Sequence, residues 1–454
     1  MNQPSIPKGT RDFGPTEMAR RNFIFAVMRR HFERFGYAPI ETPSFENTAT
    51  LTGKYGEDGD QLIFKVLDNG DYLKDVPVES LVSKNLNDTT SRISSRALRY
   101  DLTVPFARFV VMHRSEIHFP FRRYQIQPVW RADRPQRGRY REFFQCDADI
   151  IGTQNLMCEA ELILLFDAVL SELKINADIR INNRKILQAI AHTAGIEDRF
   201  MEMTIAIDKL DKIGTGGVGA ELSNRGFDEG AISKIMEPLA WTEDFAGMLS
   251  KLQSYLTASE VGELGMSELR EVKKWVDATG LSTSHLVLDL TLARGLNYYT
   301  GAIFEVRARD IEFGSICGGG RYDNLTGVFG LPDVSGVGIS FGADRIYDVM
   351  LSLGLFNEAI KSQPNILLIH TNEETQHSCF QIAAMLRKSG VSVEVYADQA
   401  KLKKQLKFAD DRGFAWVGIM GEDELKSQQI SLRRMNDGSQ QKCAINELMN
   451  FHWS

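Results

Sequence analysis

The fold of this chain is decided by the stretch Arg131-Ala-Asp-Arg-Pro-Gln-Arg-Gly-Arg-Tyr-Arg-Glu-Phe-Phe-Gln145, which places five arginines within eleven residues. Pro135 and Gly138 within it predict a turn. The aromatic and branched residues of Ile126–Asp133 and Tyr140–Ile150, on either side of the turn, favour the two strands of a hairpin. A guanidinium group is always charged and can bind two phosphate oxygens at once. We therefore expect an anion site for a polyphosphate, a nucleic-acid end, or both.

Alternation along the two strands predicts which side chains face this site. Arg131 and Asp133 share one face of the first strand. Arg141, Gln145 and Asp149 share one face of the second. The opposite face of the second strand is predicted to be core and carries Tyr140, Phe144, Ala148 and Ile150. A solvated, charged hairpin is the alternative, and the polar residues between apolar neighbours argue against it.

Length and composition limit the class of protein. The 454 residues exceed what one core serves, since single cores stop growing near roughly 250 to 300 residues, so several domains are expected. A net charge of -7 means that a nucleic-acid partner must be bound by local basic patches. The five cysteines are dispersed and form no Cys-x-x-Cys pair, which argues against a disulfide framework and a zinc site.

The sequence also indicates which features the protein should lack. No histidine or cysteine cluster has metal-ligand spacing, so we predict no metal site and no tightly bound cofactor. No apolar run reaches the ~18 residues that a membrane span needs, and the first residues have no apolar signal core. We therefore expect a soluble, cytoplasmic protein.

Changes of sequence pattern along the chain predict three regions. Helical segments rich in polar residues fill 183–279 and predict an inserted helical domain. Strand character on both sides predicts a single core built from 1–182 and 280–355. Beyond a linker, strands alternate with helices in 364–454, which predicts a small α/β domain with a mostly parallel sheet.

Two segments before the hairpin have local patterns. Apolar residues recur at helical spacing through Pro15–Phe35 and the pattern stops at Gly36, which predicts an amphipathic helix. A second apolar run with turn residues, Arg99–Pro105, precedes the hairpin. If this run is extended, Asp101 and Thr103 lie on the same side.

A glycine-rich segment raises the possibility of a different function, the binding of a dinucleotide. Gly214-Thr-Gly-Gly-Val-Gly219 matches Gly-x-Gly-x-x-Gly, the fingerprint of dinucleotide-binding sites. That fingerprint needs a preceding strand, whereas 207–213 is charged and more typical of a helix. We predict a loop without a nucleotide role; a dehydrogenase is the alternative that rests on this segment alone.

Three later segments bring an arginine or glycines to the end of a strand. Ala293-Arg-Gly-Leu-Asn-Tyr-Tyr-Thr-Gly301 places Arg294 on a turn, from which it could reach a cleft. The glycines of Cys317-Gly-Gly-Gly-Arg-Tyr322 let the backbone approach a ligand closely. Arg345 falls in the first turn of a predicted helix, whose dipole adds to its attraction for phosphate. Each segment taken alone also has an ordinary structural explanation.

These segments resemble, in the same order, the signature segments of class II histidyl-tRNA synthetases. The likeness extends from Lys8-Gly-Thr-Arg-Asp12 to Gly421-Glu-Asp-Glu-Leu-Lys426. Leu98-Arg-Tyr-Asp-Leu-Thr-Val-Pro-Phe106 and Gln145-Cys-Asp-Ala-Asp149 resemble the eukaryote-type branch of that family. The paired tyrosines and the triple glycine are specific to the family, whereas class II synthetases in general share the arginine hairpin.

The resemblance implies an α+β fold: an antiparallel class II sheet with helices, an inserted helical domain and a C-terminal α/β anticodon-binding domain. It implies a homodimer, with the first helix and Pro43 at the interface. The implied reaction joins histidine to ATP, with Mg²⁺, as histidyl-adenylate and then transfers the histidyl group to the 3′ end of histidine tRNA. Positioned cations can catalyse the first step without a side-chain nucleophile.

The resemblance also implies a role for each candidate residue. The catalytic cations are Arg131, Arg294 and Arg345. Histidine is bound by Asp101, Thr103, Gln145, Asp149, Arg294, Tyr298 and Tyr299. ATP is bound by Arg131, Arg139 and Arg345. The tRNA is contacted by Arg134, Gln136 and Arg141 of the hairpin loop. Independently of the resemblance, the charge of Lys403 and Lys407 in the last domain makes them candidates for contacts to tRNA phosphates.

Some observations leave alternatives open. Asp133 stands where a glutamate is common in the family, and Asn297 where an aspartate is usual, which puts fine positioning in doubt but removes no cation. The lysines of the last domain could equally form a solvated helix face. The main alternative function is the catalytically silent regulatory subunit of ATP phosphoribosyltransferase, which predicts degraded catalytic segments and no anticodon domain.

Overall fold

The computed structural model describes residues 3–53, 56–256, 259–293, 299–356 and 365–453. The chain divides into two compact units. The first comprises 1–13 and 20–357, and the second comprises 14–19 and 358–454. No helix in the described ranges is both long and apolar enough to cross a membrane.

The strands form three sheets within the described ranges. They are β1 (Ala38–Pro39), β2 (Phe45–Asn47), β3 (Lys65–Val66), β4 (Arg96–Leu98), β5 (Phe121–Trp130), β6 (Glu142–Ile151), β7 (Ala177–Asn183), β8 (His285–Leu288), β9 (Ala302–Ala308), β10 (Cys317–Tyr322), β11 (Gly336–Gly342), β12 (Ile366–His370), β13 (Val393–Val395), β14 (Trp416–Met420), β15 (Gln429–Arg434) and β16 (Gln440–Ala444). The largest sheet has the order β1-β5-β6-β11-β10-β9-β7-β8, and β2, β4 and β3 form a small separate sheet.

The α-helices surround the sheets. They are α1 (Pro15–Arg34), α2 (Thr48–Leu51), α3 (Gly56–Gln61), α4 (Val78–Val82), α5 (Leu86–Ile93), α6 (Thr103–Met112), α7 (Met157–Glu172), α8 (Arg184–Ala194), α9 (Phe200–Ile207), α10 (Leu210–Asn224), α11 (Glu229–Leu239), α12 (Phe245–Tyr255), α13 (Glu260–Thr279), α14 (Ala343–Ser352), α15 (Glu373–Lys388), α16 (Leu402–Arg412) and α17 (Glu422–Ser427). Short 3-10 helices occupy Glu197–Arg199, Thr326–Phe329 and Ile445–Asn450.

The predicted hairpin and the predicted α+β class are confirmed. β5 and β6 pair antiparallel from Phe121 opposite Ile151 to Trp130 opposite Glu142. The sheet is mixed but mainly antiparallel, because only its two outer pairs, β1 with β5 and β7 with β8, are parallel. The parallel pair β7 and β8 needs a long crossover, and the six helices α8 to α13 form that crossover.

The core of the first unit lies behind the large sheet. Cys146, Ala148 and Ile150 of β6 are fully buried and pack in one hydrophobic cluster with α1 and α7. The predicted helix from Pro15 is confirmed and ends at Arg34. The alternation of β6 therefore sends one face into this core and leaves the other for polar side chains.

The prediction of a loop at Gly214–Gly219 is wrong. The segment belongs to α10, and Gly214 alone departs from helical geometry, with φ 68° and ψ 174°. Only the first glycine occupies the left-handed region that other residues avoid, so the following residues continue the helix. The segment follows helix α9 and no strand precedes it directly, so the geometry of a dinucleotide fingerprint is absent there.

The sheet of the second unit is less parallel than predicted. β12 pairs parallel with β13 and β14. β14 with β15 and β15 with β16 are antiparallel. The prediction missed β16, a short polar strand that returns after a tight turn at Gly438, where φ is 71°. This hairpin makes the sheet mixed.

Candidate active site

A cavity of about 480 Å³ opens on the polar face of β6 in the first unit. Side chains from the hairpin, from β9, β10 and β11, and from the start of α14 line it. The predicted site residues that line it are Asp101, Thr103, Arg131, Arg139, Gln145, Asp149, Tyr299 and Arg345. Residues from distant parts of the chain thus meet at one place. Arg294 and Tyr298 lie outside the described residues.

Arg131 follows the last residue of β5 and lines the cavity. Its Nε donates a 3.0 Å hydrogen bond to the carbonyl oxygen of Tyr100. Its guanidinium carbon lies 4.3 Å from the centre of the Tyr100 ring and 5.2 Å from that of Phe143. Stacking and one backbone bond fix the plane of the group, so that a charged edge is preorganised for an anion.

Arg345 lies in the first turn of α14, as predicted. Its Nε donates a 2.9 Å hydrogen bond to the carbonyl oxygen of Gly138 in the hairpin loop. A second bond reaches the carbonyl oxygen of Ser315. Because both acceptors are uncharged, the positive charge of Arg345 is oriented but not neutralised by them. The loop and the helix start therefore meet at the same end of the cavity.

Asp149 lies deep in the site and is held on both oxygens. Tyr322 donates a 2.6 Å hydrogen bond to Oδ1, and Nη2 of Arg123 lies 2.7 Å from Oδ2. Burial raises the pKa of Asp149, and Arg123 and the Tyr322 hydroxyl act in the opposite direction. A carboxylate fixed in this way can serve as a hydrogen-bond acceptor of defined direction.

Gly338 of β11 is required by this arrangement. A Cβ atom on Gly338 would lie only 1.9 Å from Oδ1 of Asp149. Any other residue would displace the carboxylate or the strand. The glycine therefore leaves the space that the side chain of Asp149 occupies.

Asp101 and Thr103 reach the cavity in a conformation that was not predicted. The segment is not extended throughout, because Thr103 begins helix α6. Oδ1 of Asp101 accepts a 3.1 Å hydrogen bond from the backbone N–H of Val104, in the first turn of that helix. Both side chains nevertheless line the cavity, so the helix start replaces strand alternation as the reason that they meet.

Two hairpin residues lie elsewhere than predicted. β6 begins at Glu142, so Arg141 is outside the strand and does not share the face of Gln145. Its Nε instead donates to the carbonyl oxygen of Asp133 at 3.1 Å. Tyr140 was predicted to be core, yet it lines the cavity, and the guanidinium carbon of Arg11 lies 3.2 Å from the centre of its ring. The predicted alternation of side chains between the two faces therefore does not apply to these loop residues, which precede β6.

The remaining tRNA candidates lie outside the cavity lining. Arg134 and Gln136 are exposed in the hairpin loop. Lys403 and Lys407 are exposed on α16 of the second unit, one helical turn apart. Residues at this spacing share a helix face, so the two lysines form one small basic surface.

Several residues of the site were not predicted from the sequence. Asp147 and Ser340 line the cavity beside Gln145, and Arg123 lies beneath Asp149 with no exposed surface. For Asp147 the signal was present, because it shares the face of Gln145 and Asp149 on an alternating strand. The proximity of Ser340 and Arg123 to these residues follows only from the pairing of β11 and β5 with β6.

The composition of the cavity suits organic anions and polar groups. It brings guanidinium groups together with carboxylates, hydroxyls and an amide. Among the described residues, no group of three histidine, cysteine, aspartate or glutamate side chains is arranged to hold a metal ion. All five cysteines are free.

Comparison with known proteins finds matches over almost the whole chain. A family model described as "Histidyl-tRNA synthetase" matches residues 9–73 and 84–346, and one described as "Anticodon binding domain" matches 365–452. A histidine–tRNA ligase from Phocaeicola vulgatus is 50% identical over 447 residues, which cover 98% of each chain.

Solved structures give the same result. The crystal structure of histidyl-tRNA synthetase from Nostoc sp. PCC 7120 matches with a TM-score of 0.82 and 30% identity and covers 99% of each chain. An ATP phosphoribosyltransferase regulatory subunit/histidyl-tRNA synthetase from Bacillus halodurans has a TM-score of 0.72 at 20% identity, over 92% of this chain and 98% of that one. At that identity the second similarity concerns the fold alone.

Proposed function

The chain belongs to the histidyl-tRNA synthetase family and is a histidine–tRNA ligase, and from this premise we propose that the cavity on β6 binds histidine and ATP side by side. The observation that carries the proposal is that Arg131 and Arg345 line the same cavity as Gln145 and Asp149. Two groups suited to phosphates thus lie beside groups suited to a polar amino acid.

In the first step a histidine carboxylate oxygen attacks the α-phosphorus of ATP and pyrophosphate leaves. Two anions must approach, and charge develops on the phosphoryl oxygens. Arg131 would bind the α-phosphate and Arg345 the γ-phosphate, with Arg139 as a further ATP contact. Arg294 is proposed by resemblance to bind both the histidine carboxylate and the α-phosphate. ATP would enter with Mg²⁺ as its counter-ion.

The histidine pocket would pair each polar group of the substrate. Asp149 and Tyr299 would bind the imidazole, with Tyr298 beside them by resemblance. Asp101, Thr103 and Gln145 would bind the α-amino group. An amino acid without these nitrogen atoms leaves buried acceptors without partners, and such a mismatch discriminates strongly.

In the second step the histidyl group passes to the 3′ end of histidine tRNA. We propose Arg134, Gln136 and Arg141 as contacts to the acceptor end, and Lys403 and Lys407 as phosphate contacts of the anticodon-binding unit. The exposure of Arg134, Gln136, Lys403 and Lys407 supports their assignment. Arg141 is retained from the resemblance, although its bonds to the carbonyl oxygens of Asp133 and Lys8 favour a structural role.

Several finer assignments are also proposals. We propose a core of 1–182 and 280–355, an inserted helical domain at 183–279, an anticodon domain at 364–454, a homodimer and a cytoplasmic location. The assignment of the chain to the eukaryote-type branch of the family rests only on two sequence segments, one before β6 and one within it. The Phocaeicola and Nostoc relatives are bacterial and give that assignment no support.

The regulatory-subunit alternative is disfavoured. The hypothesis of a regulatory subunit predicts loss of the anticodon domain, whereas residues 365–452 match an anticodon-binding family. It also predicts degraded catalytic segments, whereas Arg131, Arg345 and the carboxylates line one cavity.

The direct test is histidine-dependent exchange of pyrophosphate into ATP without tRNA. We expect exchange with histidine and none when histidine is omitted. Arg131→Ala should abolish most of it, because one charge donor is lost. The matched control is Arg137→Ala, an exposed arginine of the same loop whose guanidinium bonds to Ser352. Absence of exchange in the unaltered protein would contradict the proposal.

A further inference from the structure

Asp147 lies between Gln145 and Asp149 on the face of β6 that lines the cavity. The residue is only 2% exposed, and its Oδ1 atom has no hydrogen-bond partner within the ranges that the structure describes. A buried carboxylate oxygen without a partner is unfavourable unless an occupant of the cavity supplies a donor. Asp147 therefore points to a ligand that carries a hydrogen-bond donor.

A second acceptor lies beside Asp147. Nε2 of Gln145 donates a 2.9 Å hydrogen bond to Oγ of Ser340, which leaves Oε1 buried and unpaired among the described residues. Ser340 is opposite Asp147 in the register of β6 and β11, so its hydroxyl belongs to the same part of the cavity. Ser340 thus orients Gln145, and within the described ranges Gln145 and Asp147 each retain a buried, unpaired oxygen for a ligand.

The charge around Asp147 is unbalanced. Strand β5 contributes Arg123, which is paired with Asp149 at 2.7 Å. The segment before α6 contributes Asp101. β10 contributes the hydroxyl of Tyr322, which is bonded to Asp149, and β11 has no titratable side chain. With Arg123 paired to Asp149, ionisation of Asp147 beside Asp101 would make this part of the cavity electronegative.

The pKa of Asp147 is consistent with a site for a cationic group. Burial raises the pKa of Asp147 to about 7; Arg123 lowers it, Asp149 raises it, and Ser340 and Asp101 have smaller opposing effects. A ligand cation placed against the carboxylate would favour its ionised form. The free site therefore holds a proton near neutral pH that a cation can displace.

We propose that Asp147 is a further substrate-binding residue, which accepts a hydrogen bond from the α-ammonium group of histidine. The inference rests on the proposed function of the cavity. A neutral imidazole has one N–H donor, which Asp149 takes in the proposed arrangement, whereas an ammonium group has three. The three donors of the ammonium can reach Asp147, Gln145 and Asp101 together, with Thr103 sharing one of these hydrogen atoms, whereas the imidazole has no donor left for Asp147.

The first test compares two ligands on Asp147→Asn, which keeps the shape and an acceptor oxygen but removes the charge. Equilibrium binding of histidine should weaken about ten- to a hundredfold, the range for losing a hydrogen bond between charged groups. Binding of imidazolepropionate, which lacks the amino group, should change little. Equal weakening of both ligands, or no weakening of either, would overturn the proposal.

The second test counts protons. Calorimetry at pH 7 in two buffers of different ionisation enthalpy measures the protons released on binding. Histidine should release more protons on binding to the unaltered protein than on binding to Asp147→Asn, because only the unaltered protein has the Asp147 carboxyl group that the ammonium ionises. Equal release would reject the role of Asp147. Absence of histidine-dependent pyrophosphate exchange would instead reject the function of the cavity, so the two failures are distinguishable.

Discussion

The hydroxyl of Tyr322 donates a 2.6 Å hydrogen bond to Oδ1 of Asp149, and these residues lie on β10 and β6, two strands that do not touch because β11 runs between them. The bond can form because Gly336 and Gly338 of β11 carry no side chains. A Cβ on Gly336 would lie 2.4 Å from the Tyr322 ring. The carboxylate of Asp149, the proposed imidazole acceptor, is thus oriented across an intervening glycine-containing strand.

Tyr322→Phe should raise the KM for histidine about tenfold to a hundredfold, because Asp149 loses a buried hydrogen bond that fixes its direction. The KM for ATP should hardly change. Pyrophosphate exchange at varied histidine and at varied ATP separates the two. Tyr347→Phe, on α14 behind the sheet, is the matched control. An unchanged histidine KM would exclude the positioning role of Tyr322.

Arg131→Lys should lower the rate of adenylation by about a hundredfold, the scale for losing one preorganised donor at a transition state. Lysine keeps the charge but cannot both bond to Tyr100 and offer a forked edge to phosphate. Histidine affinity should remain nearly unchanged. Single-turnover adenylation and equilibrium histidine binding provide the two measurements, with Arg137→Lys as control. Loss of histidine binding alone would contradict this assignment.

Glu159→Gln should destabilise the first unit by about 3–5 kcal/mol, because it leaves Arg321 as a buried charge without its counter-ion. Glu159 is fully buried, and Nη2 of Arg321 lies 2.7 Å from its Oε2. The control is Asp277→Asn in the solvent-exposed Lys273–Asp277 pair, where little change is expected. Denaturant unfolding measures both. Similar stability of the two variants would show that the buried pair contributes little.

Asp147→Asn should raise the thermal stability, and by more at pH 8 than at pH 5. The folded protein raises the pKa of Asp147 to about 7, so between about pH 4 and pH 7 it retains a proton that the unfolded chain has released. Stability therefore falls as the pH rises through that window, and asparagine removes this effect. Thermal unfolding at both pH values gives the comparison. A gain independent of pH would contradict the raised pKa.

Replacing Lys403 and Lys407 together by glutamine should weaken tRNA binding and reduce its dependence on salt. Each lost phosphate contact lowers the slope of log affinity against log salt by about 0.7 to 0.9. Lys388→Gln, exposed on α15 of the same unit, is the control. The measurement is tRNA affinity over a salt series. An unchanged slope would assign the two lysines to a solvated helix face.

The sequence predicted the hairpin and its site because the signals there are local. Alternation along β6 is enough to separate Gln145 and Asp149 from the buried Ala148 and Ile150. The same rule failed at Tyr140 and Arg141, because strand pairing ends at Glu142 and the loop then follows its own hydrogen bonds. Local rules hold only within the paired strand.

The sequence by itself determined the resemblance to the family, the main strands of the large sheet and eight of the residues that line the cavity. The resemblance depends on motifs in a fixed order, and the strands depend on residue type and short-range spacing. Tertiary structure decided how those side chains are held. Asp149 is oriented by Arg123 and Tyr322, and the pKa of Asp147 is raised by burial among groups from other elements. Hydration and charge depend on neighbours in space, and these neighbours are brought together only when strands distant in the chain pair.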